Sequence, residues 1–316
     1  MADPTYNIPE HYQRKYALTF EQEIQQMESL LLPKTSTDAR WTGKQFVVRD
    51  TPPIPWGINN SRGGTTASRE SVASYRSFYA DKVEPLENLT FYDWDDELLD
   101  SISSPKSTEM ENMKAGFNRV CDELVILRLF SDVYVGTQAN GHGTAKAFPT
   151  ANIVPVNYIS PDVALGANQP MSPWKIKRGI KLMKQMNVNI DSEELILVIS
   201  PDEVEDLEVY AKNATSDMWA KHVGDWINAY YSGKSNEFKL LGCTVQVSNL
   251  LAANSSGIRN CALYAKSGIL RSGFVNVKTS MDRLPEKKNA MLLQGSAMVG
   301  IGRRHDEKVI QIPAAH

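Results

Sequence analysis

The chain has 316 residues, of which 42% are hydrophobic and 22% charged, a composition typical of a soluble globular protein rather than a disordered one. The formal net charge of −3 and the pI of about 6.0 argue against a protein dedicated to binding nucleic acid, because no overall positive field is present. The cysteines are odd in number and form no CxxC pair, which disfavours a disulfide framework and a zinc knuckle. They are Cys121, Cys243 and Cys261.

The N-terminal segment shows no targeting signal. It lacks a basic stretch followed by an apolar one, and the longest apolar runs, such as Leu195–Ile199, are far shorter than the ~18 residues of a membrane span. We therefore expect a protein that folds in a cytoplasm. Apolar residues at three- and four-residue spacing predict a helix over Leu18–Leu32, which either packs on its own subunit or forms an arm that binds another one. These residues are Phe20, Ile24, Met27, Leu30 and Leu31.

Residues 41–92 indicate an extended hairpin. Strand-like runs at Gln45–Arg49, Tyr75–Val83 and Leu89–Tyr92 surround a stretch rich in Pro, Gly, Ser and Thr over Thr51–Ser74. A compact domain rarely contains so long a loop without a function. The alternative is a disordered linker, but such linkers are poor in aromatic residues. The aromatic residues here are Trp41, Trp56, Phe78, Tyr79, Phe91, Tyr92 and Trp94.

The strongest helical pattern extends over Pro105–Phe130. Ser104 suits the N-cap and Pro105 the first helical position. The apolar residues form one stripe, which favours a long helix lying on a sheet over a coiled coil, because charge pairing beside the stripe is weak. The stripe contains Met110, Met113, Phe117, Val120, Leu124 and Leu127.

The rest of the chain mixes helices and strands without a regular βαβ alternation, so the predicted class is α+β. One helix starts at Ser172-Pro173, and another at Ser200-Pro201 directly after the strand Leu195–Ile199. Acidic residues in the first turns of the latter complement its dipole. Further strands are expected at Cys243–Val247, Ala262–Tyr264, Gly273–Thr279, Met298–Gly302 and Lys308–Ile312.

No motif in the sequence indicates a reaction. The glycine-rich run that starts at Gly136 fails as a phosphate loop, since His142 and Gly143 stand where Lys and Ser or Thr are required. The histidines are dispersed, and His305-Asp306-Glu307 is interpreted as a charged turn rather than a metal site. No GxSxG elbow is present. We therefore predict no catalytic, cofactor-binding or metal-binding residue, and no enzymatic activity.

Four segments, in order along the chain, resemble the major capsid proteins of tailed bacteriophages. FYDWDDELLDSISSPKSTEMENMKAGFNRVCDELVI, with Arg119 and Asp122 three residues apart, resembles the entry into the long spine helix of that family. The segment starting at Ser172, SPWKIKRGIKLMKQMNVNIDSEELILVISPDEVEDL, looks like its helix, strand and ISP turn. KLLGCTVQVSNLL is similar to a short strand after a turn, and MVGIGRRHDEKVIQI to the final β-hairpin.

The resemblance implies an α+β Hong Kong 97-type capsid fold. Residues 1–40 would form the N-terminal arm, 41–92 the extension loop, 93–150 and 262–316 the peripheral domain, and 151–261 mainly the axial domain. It further implies packing of the spine helix through Met113, Phe117, Val120 and Leu124. Candidate contacts to other subunits are Trp41, Phe46, Trp56, Arg62, Arg69, Phe78 and Tyr79.

The implied function is self-assembly through pentamers and hexamers into an icosahedral shell that encloses the phage genome. Expected partners are scaffolding, portal and decoration proteins, and double-stranded DNA held on the inner face without sequence specificity. The protein would belong to the virion, assemble in the host cytoplasm and need no cofactor or membrane. Alternatives are an encapsulin-type nanocompartment shell, another structural virion protein, or a soluble α+β enzyme with a deep polar pocket.

Overall fold

The computed structural model describes residues 26–51, 54, 74–86, 89–91, 105–136, 143–161, 166–213, 231, 237–273, 278–287 and 290–315. The helices are α1 (Pro105–Phe130), α2 (Pro173–Gln185) and α3 (Pro201–Asn213). The first strands are β1 (Ser36–Asp38), β2 (Gln45–Asp50), β3 (Ser74–Val83), β4 (Leu89–Phe91), β5 (Val133–Gly136), β6 (Thr144–Lys146) and β7 (Leu195–Ile199). They are followed by β8 (Glu237–Leu240), β9 (Cys243–Val247), β10 (Ile258–Ala265), β11 (Ile269–Ser272), β12 (Lys278–Leu284), β13 (Ala290–Arg303) and β14 (Val309–Ala315).

The chain separates into two compact units. The described residues within 30–80, 123–273 and 300–315 belong to the larger unit, and those within 26–29, 81–122 and 278–299 to the smaller one.

A five-stranded sheet forms the main core of the larger unit. Its strand order is β14-β10-β7-β9-β8, with β7 and β9 parallel and the other neighbours antiparallel. Strand β7 is buried along its whole length, which explains its unbroken apolar run. Helices α2 and α3 pack on one face of this sheet. Their buried contacts are Ile176, Met183, Val204 and Leu207, which join Leu197, Val245, Leu263 and Ile310 of the sheet in one cluster.

Local capping places the starts of α2 and α3 where the sequence predicts them. The Ser172 side chain accepts a hydrogen bond from the Lys175 backbone N–H at 3.4 Å, and Pro173 occupies the first helical position. The Ser200 backbone N–H donates to Glu203 Oε2 at 2.8 Å, the reciprocal bond of a capping box. These contacts fix the starts of the two helices that precede and follow β7 in the chain.

The larger unit also contains the predicted hairpin strands. Strands β2 and β3 pair antiparallel from Gln45↔Tyr79 to Asp50↔Ser74. Strand β5 pairs with the other edge of β3, and β6 with β5, so the order is β2-β3-β5-β6. In a second group of paired strands, β11 lies between β1 and the last residues of β13. The hairpin strands are confirmed, while most of Thr51–Ser74 lies outside the described residues.

In the smaller unit, β12 and β13 form an antiparallel hairpin and β4 also pairs with β13. The first half of α1 packs here. A Cβ atom on Gly295 would lie 2.5 Å from the Met113 sulfur and 3.4 Å from Pro85. Glycine at this position therefore lets the helix approach the strand closely.

The bounds of α1 match the prediction, but its most buried face does not. The four predicted packing residues are only half-buried, and Met110 and Leu127 of the same stripe are 36% and 59% exposed. Helix α1 has apolar residues on two of its faces. The more buried face includes a carboxylate, so a search for a purely apolar stripe does not identify it. The half-buried residues are Met113, Phe117, Val120 and Leu124. The buried face contains Ala115, Asp122, Val125 and Leu129.

Three further expectations are corrected. Residues 26–31 are not helical and precede a short 3-10 turn at Leu32–Lys34, while the rest of the predicted Leu18–Leu32 helix lies outside the described residues. The final β-hairpin is not formed, since β14 pairs with β10 rather than with β13. The same pairing places β10 and β14 in the sheet that contains β7 and β9, so residues 262–316 are not all in one domain apart from residues 151–261.

Candidate subunit-contact surfaces and their anchors

The outward face of the hairpin strands carries a partly exposed apolar surface. Val47 is opposite Ser77, and Ser77 is opposite Tyr134, so these three side chains form one row across β2, β3 and β5. Val47 is 45% and Tyr134 41% exposed. The ring of Tyr79 meets that of Tyr134 edge-on at 5.5 Å between centroids. The exposed Val47 and Tyr134, with the half-buried Tyr79, are hereafter called the hairpin surface.

The inward face of the same hairpin is an aromatic core. The Trp41 and Phe46 rings stack at 5.7 Å between centroids, and Phe78 lies 5.8 Å from Trp41. Trp41 is 0% and Phe78 3% exposed. These two residues are therefore core residues of their own chain, and their assignment as contacts to other subunits is corrected.

Of the five other predicted contact residues, two are half-buried and three lie outside the described residues. Phe46 and Tyr79 are half-buried and stay predictions. Trp56, Arg62 and Arg69 lie outside the described residues.

Two glycines in β13 make room for these rings. A Cβ atom on Gly300 would lie 2.4 Å from the Trp41 ring, and one on Gly302 would lie 2.2 Å from the Phe78 ring. Residues two apart in a strand point to the same face, so the spacing of the two glycines matches the two rings. The sequence of this segment predicts a strand, but it does not reveal that its glycines face aromatic rings.

A buried ionic cluster lies beneath the hairpin. The two Arg76 Nη atoms donate to the Asp306 carboxylate at 3.1 and 3.2 Å, and Arg303 Nε donates to it at 2.8 Å. Lys146 Nζ donates to the same carboxylate at 2.9 Å. Arg303 also donates to the Leu129 carbonyl at the end of α1 at 2.7 Å. The cluster thus connects β3, β6, the end of α1 and the segment between β13 and β14.

The electrostatics of this cluster follow from its burial. Burial alone would raise the pKa of Asp306, but hydrogen bonds from Arg76 and Arg303 outweigh that effect and hold the pKa well below its usual range. Burial lowers the pKa of Arg303, and Asp306 partly offsets this. The interpretation of His305-Asp306-Glu307 as only a charged turn is incomplete, because Asp306 is 3% exposed.

In the smaller unit, a second buried carboxylate anchors residues 26–29. Asp122 accepts hydrogen bonds from Gln26 Nε2 at 2.6 Å and from the Ser29 hydroxyl. One helical turn earlier, the Asn118 side chain donates to the Met27 carbonyl at 2.8 Å. The family resemblance includes Asp122, and the structure gives its carboxylate this physical role. It fixes the end of the expected N-terminal arm to α1.

Lys175 is fully buried and joins α2 to the last strand. Its Nζ donates to the Gln169 carbonyl at 2.7 Å and to the Pro313 carbonyl at 2.8 Å. Burial lowers the pKa of Lys175 from 10.5 to about 8. Both bonds go to backbone carbonyls, so the lysine serves the packing of the sheet.

The described residues show neither a metal site nor a membrane-spanning helix. Among them, no group of three His, Cys, Asp or Glu side chains is placed to hold a metal ion. No described helix is both long and apolar enough to cross a bilayer.

Comparison with solved structures shows the fold. The capsid of Ralstonia phage GP4 superposes with a TM-score of 0.68 at 12% identity, covering 100% of this chain and 98% of that one. Mycobacterium phage Che8 gives 0.63 at 12% identity, covering 98% of each chain. The capsid of a native GTA particle gives 0.62 at 13% identity, covering 96% of this chain and 95% of that one. A search of curated protein sequences finds no significant match.

The family is shown by the sequence itself. A family model described as phage capsid protein matches residues 8–315, nearly the whole chain. This match favours a phage protein over the nanocompartment alternative, and it implies a structural role, self-association and a place in the virion. With its Hong Kong 97-type fold, the chain belongs to the phage capsid protein family and is a major capsid protein that forms the shell of a phage head.

Proposed function

We propose that copies of this chain close into pentamers and hexamers, and that these build an icosahedral shell around the phage genome. The observation that carries the proposal is the hairpin surface. Its Val47 and Tyr134 are 45% and 41% exposed in a single chain. Apolar and aromatic groups of this kind are stabilised when a partner covers them.

Each part of the subunit has a place in this proposal. Residues 41–92 act as an extension loop over a neighbouring subunit, and residues 1–40 as an arm fixed at Asp122. Helix α1 is the spine of the peripheral domain. The five-stranded sheet with α2 and α3 is the core of the axial domain, which therefore includes β10 and β14.

The proposal also concerns partners and place of assembly. A scaffolding protein directs shell closure in the host cytoplasm, a portal occupies one vertex, and decoration proteins bind outside. Double-stranded DNA lies against the inner face through contacts that do not read its sequence. The chain catalyses no reaction.

The test disrupts the hairpin surface without disrupting the fold. Val47→Glu places a charge where a neighbour would cover it. We expect a shell yield lower by a factor of at least about ten, since burying an unpaired charge costs well over the 1.4 kcal/mol that a factor of ten represents. Thr144→Glu is the matched control, because it adds the same charge to an exposed position of the neighbouring strand β6, on the other face of the sheet. Circular dichroism should show both variants folded. Equal yields from the two variants would contradict the proposal.

A second measurement tests the proposed oligomers. Native mass spectrometry of gently dissociated shells should show masses of five and six times the 35.3 kDa subunit. Dissociation only into dimers or trimers would contradict pentamers and hexamers while leaving the shell function intact.

A further inference from the structure

Strand β2 lies at an open edge of its sheet. Among the described strands it pairs only with β3, in an antiparallel register that continues from Gln45 to Asp50 without a bulge. Opposite residues of such a pair alternate between those that exchange backbone hydrogen bonds and those that do not. On an edge strand, every second residue therefore directs its backbone N–H and C=O away from the sheet.

One hydrogen bond shows which residues of β2 these are. The Ala80 N–H donates to the Lys44 carbonyl at 2.8 Å. These two residues are opposite each other, one position before the first pair of the two strands, so the even-numbered positions of β2 are the ones that bond to β3. Val47 and Arg49 consequently direct their backbone groups outward, and no described residue bonds to those groups.

This edge lacks most of the features that protect exposed edges from pairing. Such edges are commonly short or interrupted by proline, charge or a bulge. Strand β2 has six residues without a proline, its charged residues Arg49 and Asp50 stand at one end, and Val47 in its middle is 45% exposed. At the other edge of the same strands, β6 has only three residues, of which the same alternation directs only Ala145 outward. The edge of β2 is therefore the one suited to accept a further strand.

We infer that an extended segment of a second copy of this chain pairs with the free edge of β2 and lengthens the sheet across the subunit boundary. The inference rests on the proposed function. Outward N–H and C=O groups at a sheet edge are matched by another extended backbone, which forms hydrogen bonds to them. The occupant is a second copy because a phage capsid protein assembles with itself. The added strand also lies beside Val47, so one contact pairs the backbone groups and covers part of the hairpin surface.

Amide hydrogen exchange of the wild-type chain tests the inference without any substitution. Exchange is measured in intact shells and in subunits released from them, and is read residue by residue by fragmentation mass spectrometry. The N–H groups of Phe46 and Val48, which bond to β3, should exchange slowly in both states. Those of Val47 and Arg49 should exchange fast in the free subunit and at least about tenfold more slowly in the shell. Equal rates in the two states would exclude strand addition, and slow exchange already in the free subunit would assign the edge to a segment of the same chain.

Proline substitution tests the same backbone groups through assembly. Arg49→Pro removes an outward N–H but no hydrogen bond to β3, so the subunit should still fold. The shell yield should fall about tenfold, because a hydrogen bond at the contact is lost and its acceptor stays unpaired. Arg49→Ala is the first control, since it keeps the N–H and removes only the side chain. Ala145→Pro is the second, because it makes the same backbone change at the β6 edge, and both controls should assemble like the wild type.

The variants separate this inference from the proposed function. Arg49→Pro that folds by circular dichroism and assembles as well as the two controls would overturn strand addition, while wild-type shells would still support the proposed function. An equal loss of yield in Arg49→Ala would assign the contact to the side chain and overturn the inference as well. If Arg49→Pro does not fold, the exchange rates of Val47 and Arg49 decide. If the wild-type chain formed no shells, alone or with a candidate scaffolding protein, the proposed function would fail, and this inference with it.

Discussion

Replacing Asp306 by alanine should strongly destabilise the subunit. The carboxylate is 3% exposed and accepts charge-assisted hydrogen bonds from Arg76, Arg303 and Lys146. Its removal leaves the two arginines, which are 7% and 1% exposed, without their common counter-charge. Breaking a buried ion pair by removing one partner costs about 3–5 kcal/mol, so we expect the free energy of unfolding to fall by that amount.

Urea unfolding of the free subunit, followed by circular dichroism, measures this change. Glu307→Ala is the matched control, because it removes an exposed carboxylate next to Asp306 and should change stability by no more than about 0.5 kcal/mol. The pKa of Asp306 is lower in the folded chain than its ordinary value of 3.8. As the pH falls below that value the unfolded chain takes up the proton first, so the wild type should lose this stability in acid and Asp306→Ala should not. Equal stability of the two variants would refute the reasoning.

Three further predictions concern other parts of the fold. Gly302→Ala should lower the melting temperature. A Cβ atom at this position would lie 2.2 Å from the Phe78 ring, and displacing the ring costs about 1–3 kcal/mol. An unchanged melting temperature would contradict the packing described. Leu129→Ala should lower the free energy of unfolding in urea by about 2–5 kcal/mol, whereas Leu127→Ala should lower it little, because Leu127 is 59% exposed. The reverse order would favour the predicted packing face of α1. Between pH 8 and 10.5, Lys175 holds its proton in the unfolded chain but has lost it in the folded chain, where its pKa is lowered. The free energy of unfolding should therefore rise with pH over this range by up to about 3 kcal/mol. The rise should be absent in Lys175→Met.

The sequence predicted those elements whose signals are local. Helix α1 has the predicted bounds Pro105–Phe130, and α2 and α3 begin at the predicted prolines. Strands β7 and β9 also match residue for residue. In each case the signal lies within a few residues, as a cap, a proline or an unbroken apolar run, and distant contacts do not override it.

The roles of the buried carboxylates of Asp306 and Asp122 could not be predicted, because their hydrogen-bond partners are far away in the chain. Asp306 is separated by 230 positions from Arg76 and by 160 from Lys146. Next to His305 and Glu307 it has the pattern of a solvated turn, and only the fold buries it. Asp122 is likewise part of the family resemblance, but its hydrogen bonds to Gln26 and Ser29 depend on how residues 26–29 fold back onto α1.

The assignment of Trp41 and Phe78 as contacts to other subunits is wrong for a related reason. An aromatic residue near a long hairpin can face its own core or a neighbour, and periodicity does not separate the two. Trp41 and Phe78 face inward because Gly300 and Gly302 leave room for their rings. The outward positions Val47 and Tyr134 are the better candidates, and the register of β2, β3 and β5 was needed to find them.

Electron cryomicroscopy of the purified protein, produced alone and together with a candidate scaffolding protein, tests the central claim most directly. We predict closed icosahedral shells in which the hairpin surface, with Val47 and Tyr134, is covered by a neighbouring subunit. Compact monomers at every concentration, even with the scaffold present, would contradict a shell-forming protein.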